Sequence, residues 1–346
     1  MMKEEIFQVE SRVKNILLII ACAIIIIAGI KAASSILITI LLSLFITIVC
    51  APPFLWLGSK GIPKSLAITI IILTFLLIAF LIGLLVGTSV ADFTLKLPQY
   101  QSKLESQMQL LLEWLKNEEI IEPDFKITNE INPGSILVFV GNTLNQLSGL
   151  FADIFLIAFI VVFMLLEASS FPLKLNKILK ESTEKMRRIE VIYHKINRYI
   201  GIKTIISAIT GILVYIVLLI IGVDYALLWG VLAFALNYIP NIGSILAAIP
   251  PLLLTIIQLG FWEALWVLVA YILINTIMGN IIEPKFMGKG LGLSTLVVFI
   301  SLIFWGWLLG PMGMLLSIPL TIAVKIILDS SEETRWLGIL LGPERE

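Results

Sequence analysis

Apolar residues in this chain come in runs too long for a soluble core helix, and the first three are separated only by short polar joints. Residues 15–30, 34–57 and 65–91 follow one another with only a few polar residues between them. A helix needs about 20 mainly apolar residues to cross the roughly 30 Å of bilayer hydrocarbon, which is the length scale of these runs. Lipid cannot pair an exposed backbone N–H or C=O, so each run must close its own hydrogen bonds, and that selects helices. Composition agrees: the 346 residues are 59% hydrophobic and 14% charged, whereas soluble domains carry roughly a quarter charged residues. Mean hydropathy is +1.04. The run at 15–30 follows Arg12 and Lys14 as a secretory signal would. No small-residue cleavage site follows it, and the next run begins at once, so it reads as a retained span.

Charge then sorts the polar joints. Residues 92–145 hold four lysines against eight acids, whereas residues 173–203 hold nine Lys or Arg against three Glu. Short cytoplasmic loops are enriched in Lys and Arg. With Lys3, Arg12 and Lys14 inside, three spans place the acidic segment outside, and a fourth span at 148–171 returns the chain for the basic one. Both termini are expected in the cytoplasm. The expected organisation is a three-span N-terminal scaffold (1–91), an extracytoplasmic polar segment (92–147), the fourth span (148–171), a basic cytoplasmic segment (172–203), an interrupted apolar core (204–328) and a cytoplasmic tail (329–346). Tyr100, Leu104, Met108, Leu111 and Leu115 recur three or four apart and predict an amphipathic helix within the polar segment. Pro52-Pro53 predicts a kink or stop near the end of the second run.

Two interruptions in the C-terminal third carry the functional reading. The first is Asn237-Tyr238-Ile239-Pro240-Asn241-Ile242-Gly243-Ser244, followed by Pro250-Pro251; the second is Gly310-Pro311-Met312-Gly313, followed by Ile318-Pro319. Each divides a run into two legs that are short for a crossing. On the charge map, one broken hairpin enters from outside and the other from inside. The fold expected is therefore an all-α polytopic membrane protein with about six full spans plus two broken re-entrant helical hairpins of opposite direction. Interrupted segments in matching positions mark a transporter's substrate site, where half-helix ends offer free N–H and C=O groups. The expectation is that the two tips approach one another near mid-depth. Candidate substrate contacts are Asn237, Pro240, Asn241, Gly243, Ser244, Asn275, Asn280, Gly310, Pro311 and Gly313. Such amides, hydroxyls and backbone groups suit a small polar, uncharged solute. Glu283, and after it Asp153, are the candidates for ion coupling, because ionisable groups at membrane depth are costly to keep.

Other chemistries lack material. The single histidine, His194, leaves no basis for a soft metal site. Cys22 and Cys50 lie inside apolar runs and read as small hydrophobes. No G-x-x-x-x-G-K-[ST], H-E-x-x-H or G-x-S-x-G motif occurs. Neither an enzyme nor a cofactor is expected. The basic segment is tethered between spans and carries no binding fold, which argues against nucleic acid as a partner.

Taken in order, several fragments resemble the autoinducer-2 exporter family, also known as PerM-type permeases. They are the stretch from Tyr238 to Ser244 with Pro250, then Asn280-Ile281-Ile282-Glu283-Pro284, then Gly288, Gly290 and Gly292 before Leu293-Ser294, and finally Gly310 to Gly313 with Ile318-Pro319-Leu320. Ser294-Thr295 stands where many members carry a proline. The resemblance implies a secondary transporter of the bacterial cytoplasmic membrane. It implies export of an autoinducer-2-like signal or, as the alternative, sodium(lithium)/proton antiport with protons or sodium ions as partners. It also implies a homo-oligomer, with a pentamer as the suggested form.

Overall fold

The computed structural model describes residues 17–18, 21–22, 24–118, 154–168, 183–240, 242–287, 292–329 and 332–343. Asn241, Asp153 and the glycines at 288 and 290 lie outside the described residues. Everything regular among the described residues is helix, as a chain with this hydropathy requires. Five of these helices are long and apolar enough to cross a membrane.

Residues 24–32 are helical and lead directly into α1, Ser34–Ser59. Pro52 and Pro53 lie inside α1 and do not end it. Of the expected kink or stop, the stop fails because lipid offers no competing hydrogen-bond partner, so helix remains the cheapest state even where two N–H groups are missing. Helix α2, Lys64–Asn117, is a single element of 54 residues with Pro98 inside it. The apolar run and the amphipathic helix expected separately are thus one rod, about 81 Å long at ~1.5 Å per residue. Asp92 marks where apolar composition ends, not where helix ends.

Helix α3 is Ile154–Ala168. Its inner side packs Ile157, Val161 and Leu165 against α1 and α2. Helix α4, Thr183–Ile221, likewise joins part of the basic segment to the fifth span without a break. It ends at Gly222, φ 86°. There the Val223 N–H bonds the Leu218 carbonyl at 2.9 Å and the Gly222 N–H bonds that of Leu219 at 3.2 Å, a Schellman stop that uses glycine's left-handed conformation.

Two short helices follow, α5, Ala226–Leu236, and α6, Ile242–Gln258. They form the first broken hairpin. Trp229, fully buried, anchors a cluster with Val214, Leu218, Ala247, Leu254, Val267 and Tyr271. Helices α4 and α5 approach closely at Gly211 and Gly230: a Cβ on Gly211 would lie 2.7 Å from the Gly230 carbonyl oxygen. Small residues at such a crossing let backbones meet where lipid supplies no hydrophobic drive.

Helix α7, Phe261–Asn275, continues as π-helix over Thr276–Ile282 and returns to α-helix in α8, Glu283–Met287. Phe261 and Trp262 are exposed, as an interfacial anchor should be. Helix α9, Thr295–Asp329, is broken at Gly310. Its legs fold back on each other, with Trp305 Nε1 donating to Thr321 Oγ1 at 3.0 Å. This is the second hairpin. The short α10, Arg335–Leu340, follows, and the Leu341 carbonyl accepts a bond from the Ser294 N–H at 3.1 Å.

The hairpins enter from opposite ends of α4. The first hangs from the Gly222 end. The base of the second, with Leu293, Val298, Ile322 and Ile326, packs on Tyr199 and Ile200 towards the other end. The 23 residue steps from Tyr199 to Gly222 span about 34 Å at ~1.5 Å per residue, close to a membrane thickness.

Gly310 has φ 66° and ψ −154°, a conformation essentially reserved for glycine. A Cβ there would touch nothing within 4 Å, so the constraint is purely torsional. We expect Gly310→Ala to lower the thermal stability of the detergent-solubilised protein by about 1–3 kcal/mol. An unchanged melting temperature would show that the turn tolerates a side chain.

Candidate functional site

A small cavity lies between the first hairpin, α4 and α7. Its polar wall is Thr210 from α4, Asn237 and Ser244 on either side of the hairpin turn, and Tyr271 and Asn275 from α7; Val214, Ala233, Ala247 and Ile274 complete it. No lining residue carries a formal charge. The volume is about 10 Å³, about enough for one water molecule. Thr210 sits on α4 about 10 Å from Lys203 and about 18 Å from Gly222, at ~1.5 Å per residue. The cavity is therefore within the depth of the bundle, where an apolar lining would be the default.

Local structure explains the wall. The Asn237 side chain is buried and its Nδ2 donates to Ser207 Oγ at 2.9 Å. Burying an amide is affordable only with such a partner. The Thr210 hydroxyl donates back to the Ile206 carbonyl at 2.9 Å, and the Tyr271 hydroxyl reaches the Ala247 carbonyl at 3.5 Å. Beyond Asn237 the turn is tight: the Ile239 N–H bonds the Leu236 carbonyl, and the Gly243 N–H bonds that of Ile239 at 3.2 Å. Asn275 is half-buried, on the last residue before the helix widens into its π segment. π-Helical turns recur at functional sites because they displace the register of the side chains that follow.

Of the residues proposed from sequence, the structure thus gathers Asn237, Ser244 and Asn275. Pro240 and Gly243 form the adjoining turn. Asn280 is exposed. Gly310, Pro311 and Gly313 lie on α9, off this cavity's wall. The two tips are also not level at mid-depth. The first reaches the Lys203 end of α4, where the Tyr238 hydroxyl donates to Thr204 Oγ1 at 2.8 Å. It reaches so far because α6 alone is about 25 Å long over its 17 residues.

Glu283 is already paired with a cation of the chain itself. Lys203 Nζ lies 2.7 Å from each of its two carboxylate oxygens, with the lysine side chain 5% and the glutamate side chain 18% exposed. Lys203 reads in the sequence as one more member of a basic face; the structure turns it inward. The signal that could have found it was its position. On the charge map Lys203 and Glu283 border two spans at the same membrane boundary, and a buried charge needs a partner there. Ser207, Thr210 and Tyr271 were missed as well, because isolated hydroxyls inside apolar helices carry no pattern.

A second polar cluster closes the opposite end of the hairpin. The Tyr100 hydroxyl donates to Asp224 Oδ2 at 2.9 Å, and the Tyr225 hydroxyl to Asp92 Oδ2 at 2.7 Å. Asp92 also pairs with Lys96 at 2.8 Å. Phe93 stacks on Tyr100 and meets Tyr225 edge-on, with ring centroids 5.9 and 6.1 Å apart. Asp92 and Asp224, acidic residues at span ends, are here bonded between elements.

Comparison with known proteins places this arrangement. The model of the AI-2E family transporters matches residues 19–333. The AI-2 transport protein TqsA of Escherichia coli (strain K12) is 41% identical over 328 residues, covering 95% of each chain. An inferred transport protein of Haemophilus influenzae is also 41% identical, over 94% of this chain and 95% of its own. The inferred transport protein YhhT of Escherichia coli (strain K12) is 36% identical over 96% and 95%. A multi-pass helical bundle, two broken hairpins and near full-length similarity converge on one assignment: the chain belongs to the AI-2E family of membrane transporters.

Proposed function

We propose that the protein exports a small, polar, uncharged solute across the bacterial inner membrane, with autoinducer-2-like signal molecules as the leading class. The supporting observation is the uncharged polar wall of Thr210, Asn237, Ser244, Tyr271 and Asn275 inside an otherwise apolar bundle. Hydroxyls and amides of this kind match a hydroxylated solute, and the absence of a charge in the wall disfavours a bulky anion. One relative, TqsA, is named for AI-2 transport. At about 10 Å³ the cavity has room for about one water, so the cycle requires it to widen and to face each side in turn. In this reading Asn237, Ser244 and Asn275 contact the solute, Pro240 and Gly243 shape the turn beside it, and Gly310, Pro311 and Gly313 give the second hairpin its bend. The N-terminus and the Lys203–Glu283 end of the bundle face the cytoplasm. Sodium(lithium)/proton antiport draws no support from the site, since both Glu283 oxygens already hold Lys203.

The test is efflux from proteoliposomes across a panel of labelled polyols, furanones, amino acids and cations. Asn237→Leu and Asn275→Leu should each slow efflux of the transported solute about tenfold or more, the scale of one lost buried hydrogen bond. Thr74→Val, at an exposed position on α2, should leave it unchanged. Equal efflux from all four proteins would remove the cavity from the transport path.

A further inference from the structure

We propose that the protruding part of α2 is an outer latch that holds the cavity shut on the side opposite Lys203. This rests on the transport reading above and adds the part that must move. The first hairpin has two bases at this end, the joint between α4 and α5 and the C-terminal end of α6, and α2 grips both. Tyr100 bonds the Asp224 carboxylate at 2.9 Å, while Asp92 accepts from Tyr225 at 2.7 Å. Lys103 Nζ donates to the main-chain carbonyl of Gln258 at 2.9 Å. Gln258 ties the bases to each other: its Oε1 accepts from the Asp224 N–H at 2.9 Å and its Nε2 donates to the Gly222 carbonyl at 3.2 Å.

Backbone geometry marks the same spot. Tyr225 is the sole non-glycine with positive φ among the described residues, at φ 60° and ψ 31°. A bulky residue held in the left-handed region persists only where its surroundings fix it. Here that conformation immediately precedes α5 while the hydroxyl meets Asp92. The two legs so gripped carry the cavity wall, Ala233 and Asn237 on one side of the turn and Ser244 and Ala247 on the other. A solute leaving past Gly222 has to part these legs from α2 or from each other. The bonds that resist this are to ionised carboxylates and a charged amine, strong enough to hold a closed state yet few enough to break together. The latch residues are positioning residues: none lines the cavity.

The experiment reads access, not transport. In a full-length chain with Cys22→Ser and Cys50→Ser, which removes both native cysteines, Ala233→Cys places one thiol on the buried wall. Right-side-out membrane vesicles are treated with a charged, membrane-impermeant methanethiosulfonate, and the labelling rate is followed. Tyr100→Phe combined with Tyr225→Phe keeps both rings and deletes both hydroxyls, and should raise that rate at least about tenfold, the change for one lost hydrogen bond to a charged group. Thr69→Val, at an exposed position of α2, should not. If the double variant does not elute as a single species, Lys103→Ala at an exposed position takes its place, with the same direction expected. An unchanged rate in the folded latch variant overturns the proposal, as does an equal rise in the Thr69→Val control. No solute enters this measurement, so a failed substrate panel would overturn the export reading while a raised labelling rate still upheld the latch.

Discussion

Gly243→Leu and Gly313→Leu should each abolish solute flux while leaving the protein inserted in the membrane. The two glycines occupy equivalent places in the two hairpin turns. A Cβ on Gly243 would run into the Leu236 carbonyl and lie 3.0 Å from the Ile239 Cβ. One on Gly313 would run into the Trp305 carbonyl and lie 2.8 Å from the Leu309 Cβ. The obstacle in each case is main chain, which cannot rotate away as the end of a side chain can. The turn must therefore open: in the first hairpin the legs that carry Asn237 and Ser244 move with it, and in the second the two legs of α9 are forced apart. Overpacking of this kind costs about 1–3 kcal/mol or more, and even small displacement of binding groups is expensive in rate. Insertion depends on summed hydropathy, which an added Leu does not lower. Gly87→Leu is the matched control, since nothing lies within 4 Å of a Cβ built there. Flux in proteoliposomes and elution in detergent are the two readouts. Wild-type flux in Gly243→Leu would show that the first turn is not part of the moving machinery.

Lys203→Met should be the most destabilising single change at the Lys203 end of the bundle. It would strand the Glu283 carboxylate at a site where the lysine supplies the bond to both oxygens. Removing one member of a buried ion pair costs roughly 3–5 kcal/mol, whereas replacing both members by uncharged groups can be nearly neutral. Glu283→Gln alone should also destabilise, and Lys203→Met with Glu283→Gln should recover most of the loss. Thermal unfolding of the four proteins in the same detergent forms the double-mutant cycle. If the two single effects simply add, the pair is not coupled and the inward turn of Lys203 has no energetic meaning. The pair joins α4 to the end of the π-helical segment, so the cycle also tests whether that irregular turn is held in place from outside itself.

Hydropathy in the sequence located most of the membrane-crossing material, but it misjudged where helices end. At Asp92 the composition turns polar and the helix continues to Asn117. Pro52-Pro53 looks like a stop, yet α1 runs to Ser59. The basic segment and the fifth span, read apart, share α4. Composition records which solvent a residue faces, whereas a helix stops where the backbone is forced out of helical torsions, as at Gly222 and Gly310. The candidate site was half legible for a related reason. Asn237 and Ser244 stand out because amides and hydroxyls beside a proline–glycine turn have no apolar excuse, and Asn275 because it is an amide inside an apolar span. Lys203 did not, because a lysine bordering a span looks the same whether its ammonium faces water or a carboxylate 80 residues away.

By itself, then, the sequence determined an all-helical membrane protein with two broken hairpins and an uncharged set of polar groups near the breaks. Those features follow from local chemistry: lipid enforces helix, and proline and glycine interrupt it. Only the tertiary structure decided that the first turn, α4 and α7 share a cavity without the second turn. It alone paired Lys203 with Glu283 and Tyr100 with Asp224. These are contacts between residues far apart in the chain, set by how rods of particular length pack side by side, and no local pattern encodes that register.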